Sequence, residues 1–378
     1  MTKNEEILWL SSIPEIGPLS IAKLMQKYND PEYIFAASPE ELMETVPKKM
    51  AQRICEFSER DCLIKIEEIM NKLDEGGYSF LTFYDEDYPE RLKNIPNPPQ
   101  ILYFKGDKEL LNKGRCVAIV GSRQATEYGR EAALYFAGEL SGAGFTVVSG
   151  LAYGIDTAAH RGAIQNGGKT IGVMGSGIND IYPKGNLHLY EEMYSSQLVI
   201  SENGPGIPSY AFNFPVRNRI ISGLSEGVIV VEAREKSGSL ITADIALEQG
   251  RNVYAVPGRI TDPMNKGTNN LIAQGALIAN DADTVIADLL GASETEDAYQ
   301  KKWKENKKKE TDKKEREYLE LSENERKIFN CLSGEPMFID DITSVSGLSL
   351  TLALEGLIKL EKKKLIKAVE RGYYVKKI

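Results

Sequence analysis

The 378-residue chain has only two histidines, His160 and His188, too few for a His-rich metal site or multi-histidine catalysis. Its four cysteines, Cys55, Cys62, Cys116 and Cys331, form no C-x-x-C pair, so zinc-finger and thioredoxin chemistry lack their ligands. An even count would allow two disulfides. However, Cys116 opens a strongly apolar run, where a thiol serves as a small core residue. A reduced, cytoplasmic chain is the expectation. No apolar run approaches the ~20 residues of a transmembrane helix. The first residues carry Glu5 and Glu6 in place of the basic start of a signal peptide. Positive charge is not in excess either: 46 basic against 55 acidic residues give a net charge of −9. That balance excludes a polybasic nucleic-acid coat. What is present is ample core material, 42% hydrophobic and 8% aromatic, in a length that suits two or three domains.

Residues 1–75 read as a small helical domain of SAM-like or helix-hairpin-helix type. Ile7, Leu8, Leu10, Ile21, Leu24, Met25, Ile34, Phe35, Leu42 and Met43 recur at helical spacing. Ser38 and Glu41 have the spacing of a capping box. Residues 13–24 fit a helix-hairpin-helix whose Gly17 would turn amides toward a phosphate. The acidic excess around it, −7 over residues 1–114, favours a structural role. Short β-like runs follow at 79–84 and 101–104, with a proline-rich turn region between them.

From Cys116 onward, continuous apolar runs at 116–120, 145–148, 170–174, 198–200, 228–231 and 253–256 alternate with helix-length segments. Strands buried on both faces look like this, so a Rossmann-like, doubly wound, mostly parallel sheet is expected over residues 76–290. Residues 291–318 read as a charged linker. Residues 319–378 carry three helical patterns and a hairpin turning at Arg371-Gly372, the pattern of a winged helix. Its third helix, at 350–360, is mostly apolar, so a protein contact is as good a reading as duplex DNA.

Two glycine-rich motifs are decoys. Residues 163–170 match a permissive Walker A pattern, but a helix ends there and a strand begins, the reverse of a phosphate loop. Gly167-Gly168 reads instead as a helix cap. Gly175-Ser176-Gly177 lacks the third glycine of a dinucleotide fingerprint, because Asp180 stands in its place.

Ligands of open α/β sheets bind beyond the carboxyl ends of the strands. Those ends read Gly121-Ser122-Arg123, Ser149-Gly150, Gly175-Ser176-Gly177, Glu202-Asn203-Gly204 and Pro257-Gly258-Arg259. Gly121 permits close approach, Ser122 caps the following helix or donates to phosphate, and Arg123 offers a charged fork. Lys184, Lys266 and the run Phe212-Asn213-Phe214-Pro215-Val216-Arg217-Asn218-Arg219 fall in the same set of loops. Arginine, asparagine and aromatics are what phosphate contacts and base stacking require. Phe212 and Phe214 read equally well as core residues. Ser237-Gly238-Ser239 is a second helix start with free amides. Asp156, Glu202 and Glu232 are the candidate carboxylates, but no nucleophile–base pair accompanies them. His160, on a helix, reads as a structural partner.

Taken in order, residues 117–123 (VAIVGSR), 149–156 (SGLAYGID), 214–225 (FPVRNRIISGLS), 237–243 (SGSLITA), 256–258 (VPG) and 267–269 (GTN) closely resemble the DNA-processing protein A family (DprA, also called Smf). The resemblance is dense over about residues 76–290. It implies a non-enzymatic bacterial protein of natural transformation. Such a protein binds and protects incoming single-stranded DNA, loads RecA recombinase onto it and forms a homodimer through the Rossmann-like domain. The family's G-S-R loop maps to Gly121, Ser122 and Arg123. Lys184, Phe214, Arg217, Asn218, Arg219 and Lys266 would extend the groove. No cofactor, metal or catalytic residue is implied. The alternatives are a phosphoribohydrolase-like enzyme using Glu202 or Glu232, although its P-G-G-x-G-T run is absent, and a winged-helix regulator of duplex DNA.

Overall fold

The computed structural model describes residues 1–13, 16–56, 59–291, 318, 320–333 and 336–376. The expected linker at 291–318 lies almost wholly outside the described residues. Two compact units emerge, Met1–Gln300 and Lys301–Ile378, the second described from Tyr318 onward.

Six helices open the first unit: α1 Lys3–Ser12, α2 Pro18–Tyr28, α3 Pro31–Ala36, α4 Pro39–Leu42, α5 Lys48–Glu56 and α6 Glu59–Gly76. The Ser38 side chain accepts from the Glu41 amide and Glu41 answers at the Ser38 amide, the expected capping box. A sheet and its helices follow: β1 Ser79–Thr82, α7 Glu90–Lys93, β2 Ile101–Gly106, β3 Cys116–Val120, α8 Glu127–Gly142, β4 Thr146–Gly150, α9 Ile155–Gln165, β5 Lys169–Gly177, α10 Leu187–Ser196, β6 Leu198–Asn203, α11 Asn213–Leu224, β7 Gly227–Val230, α12 Gly238–Glu248, β8 Asn252–Ala255, α13 Lys266–Ala273, β9 Leu277–Ile278 and α14 Ala282–Leu290.

The nine strands run in the order β1-β2-β6-β5-β4-β3-β7-β8-β9. All pairings from β6 to β9 are parallel, while β2 pairs antiparallel with both β1 and β6. The apolar runs therefore do become a mostly parallel sheet. Every residue of β3, β4 and β7 is buried, because helices cover both faces. Along β6 the side chains alternate. Leu198 and Ile200 join Ile220, Leu224 and Ala243 on one face, while Val199 joins Met174, Tyr190 and Met193 on the other.

The N-terminal helices have no core of their own. Ile7, Trp9, Leu24 and Ile66 share one cluster with Ile101, Tyr103, Met174 and Val199 of the sheet. Ser11 and Tyr103 hydroxyls meet at 2.8 Å, and Asn4 Nδ2 donates to Asp85 at 2.9 Å. The expected domain boundary at 75 thus marks a change of secondary structure, not of core. Short helices leave one apolar face unburied, and the sheet end supplies its cover.

The second unit contains α15 Glu323–Cys331, β10 Met337–Phe338, α16 Ile339–Ser346, α17 Leu350–Lys362, β11 Ile366–Glu370 and β12 Tyr373–Lys376. Its sheet runs β10-β12-β11, all antiparallel, over a core of Leu321, Ile328, Ile342, Leu357, Leu360 and Ile366. Gly372 turns the hairpin with φ +86°, as its sequence implied; β10 is an additional strand. Among the described residues no single helix is long and apolar enough to cross a membrane.

Candidate nucleic-acid interface

The chain runs from β3 to β4 on one side and adds β7 on the other, so the loops leaving β3 and β7 part company at this point of the sheet. Between them opens a cleft of about 510 Å³. Gly121, Ser122, Arg123 and Gln124 line it from the first loop, and Arg234, Lys236 and Ser237 from the second. Phe214, Arg217 and Asn218 of α11 form a third wall, with Asp156 beneath.

The first loop is built differently from the sequence expectation. Ser122 does not cap α8. Thr126 does, accepting from the Gly129 amide at 3.1 Å. Buried Glu232 in turn accepts from the Thr126 amide at 2.9 Å and from its hydroxyl at 2.5 Å, which delays the helix and leaves 121–126 as an open loop. The Ser122 hydroxyl accepts from the Gln124 amide, and the Ser122 carbonyl from the Ile155 amide at 3.2 Å. That last contact requires Gly154. Its φ is +78°, and a Cβ there would collide with the Ser122 and Arg123 carbonyls. The helix start that faces the cleft is α12, where Ser237, Gly238 and Ser239 all line the wall and Ser237 is the cap. Its amides are not free as the sequence suggested, since the Ser239 amide donates to the Ser237 hydroxyl and the Leu240 amide to the Ser237 carbonyl; what favours an anion there is the positive end of the helix dipole. Arg123 is exposed, with its guanidinium 5.0 Å from the centre of the Phe214 ring. This stacking holds the fork in place while leaving its donors outward.

The floor is charged and buried. Arg217 is 7% exposed; one guanidinium nitrogen donates to the Val173 carbonyl, while its Nε is buried without a hydrogen-bond partner. The Asp156 carboxylate lies beside it, both crowding the Cα of Gly150, where only glycine leaves room. Burial pushes the Asp156 carboxyl up to about 6, against the opposing pull of Arg217. Burial also pulls the His160 imidazole down to about 4. The ring donates from Nε2 to the Gly150 carbonyl at 2.6 Å, and its Nδ1 lies 2.7 Å from the Thr170 hydroxyl, which donates to the Val147 carbonyl at 2.7 Å. His160 is a structural partner, as expected.

Gly121, Ser122, Arg123, Phe214, Arg217 and Asn218 thus meet in one cleft. Arg219 does not belong with them. It faces away and is buried with Glu202, which its two terminal nitrogens engage at 2.8 and 2.6 Å. Two residues along a helix turn a side chain by about 200°, which separates Arg217 from Arg219. Lys184 and Lys266 are exposed but line neither this cleft nor its neighbour. The neighbour is a cavity of about 300 Å³ containing Arg130, Tyr153, Arg161 and Asn186, and Arg123 lines both. Sequence reasoning missed Arg234 and Lys236. The signal was the R-E-K run between an apolar strand and the S-G-S helix start. Gly175 and Gly177 lie within β5 and not in a turn after it: a side chain at Gly175 would strike Phe214, and one at Gly177 the Ile207 backbone.

The chain is thus an open, mostly parallel α/β protein with a basic, glycine-lined cleft at its topological switch point. The sequence profile of the DNA recombination-mediator protein A family matches residues 79–290, and the chain belongs to that family. DNA processing protein DprA of Bacillus subtilis is 45% identical over 225 residues, 60% of this chain and 76% of that one. DprA of Streptococcus pneumoniae is 46% identical over 204 residues, 54% and 72% of the two chains. The X-ray structure of S. pneumoniae DprA superposes with a TM-score of 0.60 at 36% identity, covering 76% of this chain and 97% of that one. DNA processing protein A of Helicobacter pylori, solved for its single-stranded DNA binding mode, gives 0.52 at 32% identity, covering 56% and 95%.

Proposed function

We propose that this chain binds single-stranded DNA in the cleft between the β3 and β7 loops, protects it, and loads RecA recombinase onto it in natural transformation or homologous recombination. The observation that carries the reading is the convergence of Arg123, Arg234, Lys236 and the α12 amino end on one cleft. The H. pylori relative, a binder of single-stranded DNA, supports it. Phosphate oxygens would sit near the positive end of α12 and against the Arg123 fork, with Arg217 below them. Phosphates carry no sequence code, so binding should tolerate any sequence and weaken with salt. Lys184 and Lys266 extend the path only at its margins. Arg219 drops out of it.

A non-enzymatic role is supported by what the carboxylates already do. Glu232 holds Thr126, and Glu202 holds Arg219, so neither acid named for the phosphoribohydrolase alternative is available to a substrate. Dimerisation through the Rossmann-like domain is supported by β9, an edge strand whose Leu277 and Ile278 are exposed. The second unit has the elements of a winged helix. Exposed Leu350, Leu354 and Ile358 on α17 suit a protein partner better than duplex DNA.

The test is a titration of single- and double-stranded oligonucleotides with wild type and Arg123→Ala. The variant should lose about tenfold or more in single-strand affinity, and its slope of log affinity on log salt should fall by about 0.7. Equal affinity of both proteins at fixed salt overturns the assignment of Arg123.

A further inference from the structure

The loop before α11 carries two aromatic rings that the core does not use. Tyr210 is 49% exposed and Phe212 69% exposed. They lie parallel, with ring centroids 5.3 Å apart and planes 7° apart. The loop holds them there with a Tyr210 amide bond to the Pro208 carbonyl at 2.9 Å and an Asn213 amide bond to the Tyr210 carbonyl at 3.0 Å. Ala211, between the two rings, lines the basic cleft, so the stack stands on its rim. Two rings this exposed on a surface loop forgo the burial that aromatic side chains gain in a core, and Phe212, 69% exposed, keeps ring surface free to extend the stack.

We propose that the Tyr210–Phe212 pair is a stacking platform for an unpaired base of the strand whose phosphates occupy the cleft. The inference rests on the proposed single-strand reading and adds the surface that recognises base rather than backbone. Its occupant follows from position and chemistry. A polyanion drawn into the cleft by Arg123 and Lys236 carries flat π faces beside it, and a parallel aromatic stack accepts a third flat layer without reading its edges. Bases of a duplex are already stacked on their neighbours, so the platform also discriminates against paired DNA.

The test is a cycle between protein and ligand. The full chain and its Phe212→Leu and Phe212→Tyr variants are titrated with a labelled oligothymidylate and with an abasic strand of equal length. Wild type should prefer the base-bearing strand by about 5- to 150-fold. Phe212→Leu should lose most of that preference while keeping its affinity for the abasic strand, and Phe212→Tyr should retain it. Wild type with no base preference, or Phe212→Leu weakening both strands alike, overturns the platform and leaves the backbone reading standing. Wild type that binds neither strand overturns the backbone reading itself.

Discussion

Asp156 offers the most quantitative check on the cleft, because its burial has a thermodynamic signature of known sign. Its carboxyl is held up to about 6 from the usual 3.8. Between those values the folded chain keeps a proton that the unfolded chain has lost, so stability falls as pH rises through that window. The gap corresponds to about 3 kcal/mol. His160, held down to about 4 from 6.5, acts in the opposite sense. Between those values the unfolded chain holds the extra proton, so stability rises with pH, again by about 3 kcal/mol. The two contributions nearly cancel in wild type.

Asp156→Asn removes one of them. The stability of the variant relative to wild type should therefore climb by about 3 kcal/mol between pH 4 and pH 6.5. Any fixed cost of the substitution displaces the difference curve without tilting it. Denaturant titrations at a series of pH values measure this. They are best run in a Trp303→Phe background, where Trp9, 1% exposed and packed against Phe35, reports on the first unit alone. A difference curve flat from pH 4 to 6.5 would refute the claim that Asp156 is held protonated by burial. At pH 7 the same substitution removes a negative charge from the cleft floor, so single-strand affinity should rise.

Three further outcomes test the geometry. Arg219→Met strips Glu202 of its buried partner and should destabilise the first unit by about 3–5 kcal/mol. Adding Glu202→Leu should restore most of that, with single-strand affinity of the double variant equal to wild type. Gly154→Ala places a Cβ against the Ser122 and Arg123 carbonyls at a φ of +78°; it should cost about 2–4 kcal/mol in denaturant melts and weaken strand binding by displacing Arg123. Deleting residues 318–378 removes a separately compact unit. It should leave single-strand affinity and its salt slope unchanged, and persistent loss of binding would argue for the winged-helix alternative.

The parallel sheet was legible because burial on both faces leaves a run such as Cys-Val-Ala-Ile-Val at 116–120 with no polar alternation. The Ser38–Glu41 box and the Gly372 turn were legible because each is a local rule with a fixed spacing. Arg123, Phe214 and Arg217 could be collected because strand ends must converge on one edge of such a sheet. Arg219 was misread because its partner, Glu202, lies 17 residues away and only packing joins them. Of the two roles open to Ser122, the cap went to Thr126 because Glu232, 106 residues from Thr126, sets where α8 begins.

The sequence by itself determined the elements, the family motifs and the absence of a net positive charge, since these depend on composition and on contacts a few residues apart. Tertiary structure alone decided which charges are available. Pairing spends Arg219, Glu202 and Glu232 inside the fold, strand order brings Arg234 and Lys236 beside Arg123, and burial leaves Asp156 and Arg217 to balance each other under the cleft. A side chain's charge is written in its type, but its freedom to meet a ligand depends on what long-range packing has placed next to it.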